Sequence, residues 1–162
     1  MKTTDFIDDI AKGKIGETIF EKNFLNFLNI NYKNVSGSQQ YQIIDSDYLT
    51  QIGTYEIKTN YKDNQTLIFE EYTNINELLG KISFGWIYKS KADLIVFISK
   101  LTETMIFLPM TEKLKEHYEL IKNNFELIYN KISVNKNSKW QSAFRIIPFS
   151  SLNEHISIYQ KK

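Results

Sequence analysis

The sequence predicts an α/β domain in which a central mixed β-sheet is flanked by helices. Three features indicate this fold class: an amphipathic segment at residues 4–29, a hairpin pattern at 41–60 and an apolar strand at 94–99. Apolar residues at helical spacing indicate a helix that covers a sheet, and alternation of apolar and polar residues indicates strands. The order of helix, strands, connecting segment and strand therefore predicts a sheet with helices packed on it.

Length and composition bound the class of protein. The 162 residues are enough for one domain, spanning 1–162, with its own core. The 11 Phe, 10 Tyr and 2 Trp exclude a disordered chain, and the absence of Cys excludes disulfides and thiolate metal sites. Without a long apolar run or a signal-peptide pattern, we expect a soluble, cytoplasmic protein with no membrane partner. Because the net charge is only +1, any basic surface must be local.

The first predicted helix, over residues 4–29, contains an acid on its apolar side. Glu17 lies in the middle of the apolar stripe, next to Gly13 and Gly16. Burying an acid costs free energy unless a partner compensates its charge, so Glu17 is a candidate functional residue. The two glycines would allow this helix to approach a sheet or a phosphate closely. The alternative is a helix that begins at Gly16, where Glu17 would complement the helix dipole.

The predicted hairpin brings acidic residues together. A two-residue turn that pairs Thr50 with Gly53 would place Asp47 opposite Glu56. Directly paired residues have Cβ atoms roughly 4.5–5.5 Å apart, so the two carboxylates could share a divalent cation. Like charges in paired positions destabilise a hairpin unless a metal or a proton compensates them. A shifted register would place Asp45 opposite Glu56 instead, and a further alternative is a charged hairpin that faces solvent.

The rest of the chain is predicted as further strands and helices. Residues 66–72 form a strand on which Glu70 and Glu71 face opposite sides, so one of them faces the same side as Glu56. Asp93 precedes a strand and is predicted to be a structural turn residue. The other predicted elements are a short helix at 74–81, strands at 94–99, 102–109, 125–129 and 142–148, a helix at 111–123 with Thr111 as N-cap, and a short C-terminal helix.

An Asp followed nine residues later by Glu-x-Lys on the next strand resembles the active-site motif of the PD-(D/E)xK nuclease superfamily. The matching residues are Asp47 and Glu56-Ile57-Lys58, while Ser46 or Ile44 stands where the family has its proline. In this family the first helix often carries a Glu that reaches the metal site, and Glu17 matches it in type and order. The resemblance covers residues 12–99 and depends on the combination of these features.

The resemblance implies a restriction-endonuclease-like αβββαβ core and a metal-dependent DNA endonuclease that hydrolyses phosphodiester bonds. It implies one or two Mg²⁺ or Mn²⁺ ions held by Asp47, Glu56, Glu17 and the main-chain carbonyl of Ile57. Lys58 would orient or deprotonate the attacking water, or stabilise the phosphate. Small members of this kind resemble junction resolvases and endonucleases of phages or mobile elements. The resemblance leaves open whether a junction, a flap, a duplex site or RNA is the substrate.

One active site cuts one strand, so cleavage of both strands of DNA would require a homodimer, most simply a two-fold one. The competing function is a non-catalytic module that binds nucleic acid or protein, such as an inhibitor, on the same nuclease fold. The complete set of acids and the lysine favours the enzyme, because a decayed site commonly loses one of these residues. Glu70, at the end of its strand, would match a further acid of several related families.

Lysines are the candidate contacts to nucleic acid. They are Lys14, Lys62, Lys136 and Lys139. The segment 130–141 is rich in lysine, lacks periodicity and is predicted as a loop, and Trp140 beside its lysines suits a nucleic-acid contact. The alternative is that Trp140 anchors this loop to the domain. His117 and His155 lack the spacing of a metal site, so no histidine–metal centre is expected.

Overall fold

The protein has a mixed α/β structure, which a computed structural model describes over residues 3–42, 44–61, 65–76, 79–135 and 138–160. Of these, residues 3–10, 12, 60–61, 131–135 and 138–140 are described by their backbone alone. The helices are α1 (Thr3–Phe20), α2 (Gln39–Gln42), α3 (Trp86–Lys89) and α4 (Glu112–Ile121), with a π-helical segment at Glu21–Leu25 and 3₁₀ turns at Lys122–Asn124 and Phe149–Ser151. The strands are β1 (Tyr32–Asn34), β2 (Tyr48–Thr50), β3 (Gly53–Tyr61), β4 (Thr66–Asn76), β5 (Lys81–Phe84), β6 (Leu94–Ser99), β7 (Met105–Pro109), β8 (Ile128–Asn135), β9 (Ser138–Pro148) and β10 (Ser157–Tyr159). No described helix is long and apolar enough to span a lipid bilayer.

The strands form two sheets. Sheet A has the order β1-β2-β3-β6-β7-β10 and is mixed, because β3 and β6 are parallel while the other neighbours are antiparallel. Sheet B has the order β5-β4-β9-β8 and is antiparallel. The predicted α/β class with a mixed sheet is therefore confirmed. The third strand of the expected nuclease core, β4, belongs to sheet B instead of continuing the hairpin of β2 and β3.

Sheet A lies between two hydrophobic cores because alternate residues of its strands point to opposite faces. On one face, Tyr55 and Ile57 of β3 pack against Ile19 and Phe20 of α1. The other core joins residues of sheet A to sheet B and to the helices α3 and α4: Ile95, Phe97, Leu67, Phe69, Trp86, Leu114 and Tyr118. Each large side chain buried in this way contributes about 1.5–3 kcal/mol. The alternation leaves Glu56 and Lys58 on the face of β3 that points away from α1.

The first helix begins well before Gly16. Because α1 starts at Thr3, the alternative that placed Glu17 at a helix N-terminus is wrong, and Glu17 lies in the last turn. The α-helix also ends earlier than predicted, since a π-helical segment follows Phe20. Gly16 allows α1 to approach the sheet closely, as predicted: a Cβ atom there would lie 2.6 Å from Cγ2 of Thr59 on β3.

The register of the hairpin is confirmed, but its first strand is shorter than predicted. Thr50 pairs with Gly53 and Tyr48 pairs with Tyr55, and Gly53 has a φ of 145°, which favours glycine. The predicted strand from residue 41 is wrong, because Gln39–Gln42 forms a helical turn. Asp45 follows with a φ of 49°, a left-handed conformation that interrupts an extended chain.

Two further predicted elements are wrong. The helix expected at 74–81 is replaced by the end of β4 and the start of β5, which pair with each other. The loop expected at 130–141 belongs to the paired strands β8 and β9, apart from residues 136–137, which lie outside the described chain. The helix expected at 111–123 is α4, and Thr111 caps it, since its Oγ1 accepts a hydrogen bond from the Leu114 N–H at 3.2 Å.

Candidate active site

The carboxylate of Asp47 is fixed at the point where β2 leaves β3. Its main-chain N–H donates to the carbonyl of Tyr55 at 2.8 Å, and its own carbonyl accepts from the N–H of Val35 at 2.7 Å. Its Oδ2 accepts a hydrogen bond from the N–H of Ile57 at 2.8 Å. The strand pairing ends at Tyr48, so Asp47 is not the direct cross-strand partner of Glu56 that the hairpin pattern predicted. Its carboxylate instead accepts the hydrogen bond from Ile57 that a main-chain carbonyl of a neighbouring strand would otherwise accept.

Glu56 and Lys58 project from the same face of β3 and form an ion pair. The Nζ of Lys58 lies 2.6 Å from Oε1 of Glu56, with side chains that are 28% and 13% exposed. Burial lowers the pKa of the Lys58 ammonium, but the charges of Glu56, Asp45 and Glu70 outweigh burial and raise that pKa above its ordinary value. Lys58 is therefore positively charged at neutral pH.

Asp47, Glu56 and Glu17 form one group of interacting charges. Burial, which is the largest cause, and the carboxylate of Glu56 together raise the pKa of Asp47 to about 7. The hydrogen bond from Ile57 opposes this shift, the carboxylate of Glu17 adds to it, and Lys58 lowers it. Carboxylates that raise one another's pKa are common in sites that bind a cation or carry out proton transfer. The structure thus brings all four predicted catalytic residues into one electrostatic neighbourhood.

Glu17 is held by neutral hydrogen-bond donors at the end of α1. It accepts hydrogen bonds from Oγ of Ser36 at 3.1 Å and from Nδ2 of Asn34 at 3.4 Å. The next acid, Glu21, accepts from the hydroxyl of Tyr48 at 2.8 Å and from Asn34 at 3.1 Å. Because α1 covers the Ile57 face of β3, Glu17 and Glu56 approach Asp47 from different layers. The network around Glu17 was not foreseen, since it depends on how β1 packs beside α1.

Asp45, the alternative ligand, also lies near Lys58. Its Oδ1 is 3.4 Å from Nζ of Lys89, and its charge is one of those that raise the pKa of Lys58. Its Oδ2 is buried and has no hydrogen-bond partner among the described residues. A buried carboxylate oxygen without a partner is rare and leaves one acceptor position open. The confirmed register nevertheless places Asp47, not Asp45, directly before the first paired residue of β2.

The two acids of β4 have different surroundings. Glu71 is buried in sheet B, where its Oε1 lies 2.6 Å from Nε of Arg145 and accepts a hydrogen bond from the Tyr118 hydroxyl at 2.7 Å. Glu70 points to the other side of β4 and lines, together with Lys58, a cleft of about 290 Å³ whose lining residues come from both sheets. Of the two acids that the sequence left open, Glu70 is therefore the one beside the candidate site.

The predicted nucleic-acid contacts are only partly described. Lys14 is exposed on α1. Lys62 and Lys136 lie outside the described residues, and Lys139 belongs to β9 by its backbone, with its side chain outside the description. Lys89, half exposed beside Asp45, is a further cation near the site that the sequence did not reveal. Its position depends on the packing of α3, for which no local pattern exists.

Two other predictions concern residues away from the site. Asp93 is structural, as predicted: its Oδ2 accepts hydrogen bonds from the N–H and the hydroxyl of Thr54 at 2.8 and 2.9 Å, which joins the start of β6 to β3. His117 and His155, distant in sequence, have ring centroids 4.9 Å apart. The Nε2 of His117 donates to the carbonyl of Ser151 at 2.7 Å, so this nitrogen holds the last segment of the chain.

The donor set at Asp47 fits a hard divalent cation. Its carboxylate and that of Glu56 supply oxygen atoms. Burial, together with the charge of Glu56, raises the pKa of Asp47, and a bound cation would relieve both costs. The N–H of Ile57 faces Asp47, so the carbonyl of Ile57 faces the same edge of β3. No group of three or more His, Asp or Glu side chains spaced for a metal occurs in the described chain. Mg²⁺ does not require one, since it commonly keeps several waters and binds one or two carboxylates.

The chain was also compared with known proteins. No protein-family model matches the sequence, no curated protein is significantly similar to it, and no solved structure matches it significantly. The interpretation of the site therefore depends on its residues and their geometry.

Proposed function

We propose that the protein is a Mg²⁺- or Mn²⁺-dependent DNA endonuclease that hydrolyses phosphodiester bonds. One observation carries the proposal: the Asp47 carboxylate is hydrogen-bonded to the N–H of Ile57, the residue between Glu56 and Lys58. Two carboxylates and a charged lysine thereby meet at the end of one strand pair. This combination supplies oxygen ligands for a hard cation beside a positive charge for a phosphate.

The side chains have distinct roles in this proposal. Asp47 and Glu56, with the carbonyl of Ile57 and with Glu17, would hold one or two ions. A divalent ion held there would supply activation of water and neutralisation of the phosphate. Ligation of Glu56 would release Lys58 from its ion pair, and Lys58 would then donate a hydrogen bond to a phosphate oxygen. The raised pKa of Lys58 favours this role over that of a base that deprotonates water.

The reaction places demands on the assembly. Water forms a bond to phosphorus as the bond to the leaving sugar oxygen breaks on the opposite side, so each site cuts one strand. Cleavage of both strands would require a second copy of the chain, most simply in a two-fold dimer. Junction DNA has two symmetric strands to cut, and a two-fold dimer of this endonuclease would suit it.

One observation favours a second candidate, a non-catalytic binding module such as an inhibitor. The Nζ of Lys58 lies 2.6 Å from Oε1 of Glu56, so the ion pair occupies a carboxylate oxygen that a cation would need. In a binding module this pair would be permanent. In the enzyme it would open when the cation binds, so a response to metal distinguishes the two candidates.

The decisive experiment is cleavage of supercoiled plasmid and of a panel of linear and branched DNAs with Mg²⁺, Mn²⁺ or EDTA. We expect nicking with either metal and none with EDTA. Lys58→Ala should lose about 10²–10³-fold in rate while retaining its fold and its binding of DNA. Lys115→Ala on α4, whose partner is the exposed Glu112, is the matched control and should cut normally. A Lys58→Ala variant that cuts at the wild-type rate would contradict the mechanism.

A thermal-shift measurement tests the metal site without DNA. Mg²⁺ or Mn²⁺ should raise the Tm of the wild type and should barely affect the double variant Asp47→Ala/Glu56→Ala, which lacks both carboxylate ligands. An equal shift in the double variant would place the cation elsewhere. No cleavage of any DNA, together with no thermal response to either metal, would favour the binding module.

A further inference from the structure

A cleft of about 290 Å³, lined by residues of both sheets, opens beside the candidate site. Lys58 forms its wall on sheet A. On sheet B, Glu70 pairs directly with Phe144, and Asn130 pairs directly with Ser142. Directly paired residues project from the same face of a sheet. These four side chains therefore form one wall of the cleft that Lys58 also lines.

The chemistry of this wall differs from that of a phosphate site. Glu70 would repel a phosphate, but it is an acceptor of the kind that binds the exocyclic amino group of a base. Asn130 and Ser142 each offer both a donor and an acceptor. Phe144, partly exposed, offers an aromatic face on which a base can stack. Recognition of a nucleobase requires polar groups that hydrogen-bond to the edge of the base and an aromatic ring that stacks on its face.

The volume of the cleft determines whether a paired or an unpaired base could enter it. About 290 Å³ lies at the lower end of the range of roughly 300–1,000 Å³ for small-ligand sites. Such a volume admits one ring system, and it does not admit a base pair within a double helix. A base can enter only if it has left the stack.

Lys58 connects the cleft to the proposed reaction. Its Nζ lies 2.6 Å from Oε1 of Glu56, and the same side chain lines the cleft. A nucleotide whose phosphate contacts Lys58 would therefore have the cleft beside it. We propose that the base next to the scissile phosphate occupies this cleft, so that the substrate is DNA with an unpaired nucleotide at the cleavage position. The inference rests on the proposed endonuclease function.

The first test compares two DNA duplexes that differ only in one unpaired nucleotide at the cleavage position. With Mg²⁺, the wild type should cut the DNA with the unpaired nucleotide at least about tenfold faster, because its base need not leave a pair. Phe144→Leu keeps the apolar volume and removes the aromatic face, so this preference should fall towards one. Tyr129→Leu is the matched control: Tyr129 is an exposed aromatic on β8 outside the cleft, and its variant should keep the preference.

A second readout is independent of cleavage. In Ca²⁺, an oligonucleotide with 5-iodouracil at the unpaired position should photocrosslink to cleft residues. Asn130→Ala, at an exposed position, should reduce the yield severalfold. Crosslinks elsewhere, equal cleavage of the two duplexes, or an unchanged preference in Phe144→Leu would overturn the inference and leave the endonuclease standing. Crosslinking in the cleft without any cleavage would support the base site and overturn the endonuclease.

Discussion

At the scale of single residues, Asp47 occupies a position that costs stability. Burial, with the carboxylates of Glu56 and Glu17, raises its pKa from 3.8 to about 7. An acid with a raised pKa in the folded state favours the protonated form there. The penalty is therefore absent below the unfolded value near pH 4, grows as the pH rises, and is complete above about pH 7. The shift corresponds to about 4 kcal/mol of unfolding free energy, as an order of magnitude.

Asp47→Asn should remove this pH-dependent penalty. The Asn side chain keeps an oxygen that accepts from the N–H of Ile57, so the local hydrogen bond is retained. In EDTA we expect the variant to be more stable than the wild type by up to about 4 kcal/mol at pH 8, and by much less at pH 4.5. Urea unfolding at the two pH values measures the difference. Glu112→Gln, at an exposed acid, is the control and should change little between them.

A gain in stability that is the same at both pH values would contradict the raised pKa of Asp47.

Asp47 also shows how much of the site the sequence could predict. Alternation and spacing were enough to group Asp47 with Glu56 and Lys58, since strand periodicity is local. They could not place the Asp47 carboxylate against the N–H of Ile57, because the regular pairing of β2 with β3 ends at Tyr48 and an alternation pattern does not show where pairing ends.

At the scale of elements, the contact between α1 and β3 is set by one missing side chain. A Cβ atom at Gly16 would lie 2.6 Å from Cγ2 and 3.0 Å from Cβ of Thr59. Thr59 is β-branched and follows Lys58 directly, so it cannot move without shifting the strand that carries the site. Gly13, one turn earlier on the same helix, has nothing within 4 Å of such an atom.

Gly16→Ala should destabilise the protein by about 1–3 kcal/mol, as overpacking of a tight contact does. Gly13→Ala is the matched control and should be neutral or stabilising by up to about 1 kcal/mol, since Ala is the better helix former. Urea midpoints of the two variants give the comparison. Adding Thr59→Ala to Gly16→Ala should recover part of the loss. Equal effects of the two Gly→Ala substitutions would contradict the close contact.

Elements with strong local patterns were predictable, and elements made by long-range pairing were not. The strand at 94–99 and helix α4 have clear apolar periodicity and an N-cap at Thr111. The segment around 130–141 lacks periodicity, yet it forms β8 and part of β9 because the strand β4 pairs along β9. Strand preference depends on neighbours in the sheet more than on local sequence.

At the scale of the whole molecule, an ion pair within sheet B is joined to α4 by a hydrogen bond from Tyr118. Arg145 of β9, the only arginine of the chain, contacts Glu71 of β4 with side chains that are 12% and 4% exposed. The hydroxyl of Tyr118 on α4 donates to the same carboxylate oxygen, and Nη1 of Arg145 donates to the carbonyl of Phe125. Breaking such a pair leaves an uncompensated charge in the interior.

Arg145→Met should cost about 3–5 kcal/mol of unfolding free energy, because Glu71 would remain buried and charged. Adding Glu71→Gln removes that charge and keeps an acceptor for Tyr118, so the double variant should be more stable than Arg145→Met alone. A double-mutant cycle by urea unfolding measures this coupling. If the losses of unfolding free energy in Arg145→Met and Glu71→Gln simply add in the double variant, the two side chains are not coupled as a buried ion pair.

The position of β3 between two kinds of partner has a consequence for the order of folding. Its pairing with β2 closes a short turn, whereas its parallel pairing with β6 joins segments that β4, β5 and α3 separate in the chain. Pairings between distant segments form slowly, because the entropy of loop closure is lost before contacts repay it. We therefore expect Asp47, Glu56 and Lys58 to come together locally in a nascent hairpin, and the sheet around them to become rigid later, when the slower pairing of β3 with β6 forms.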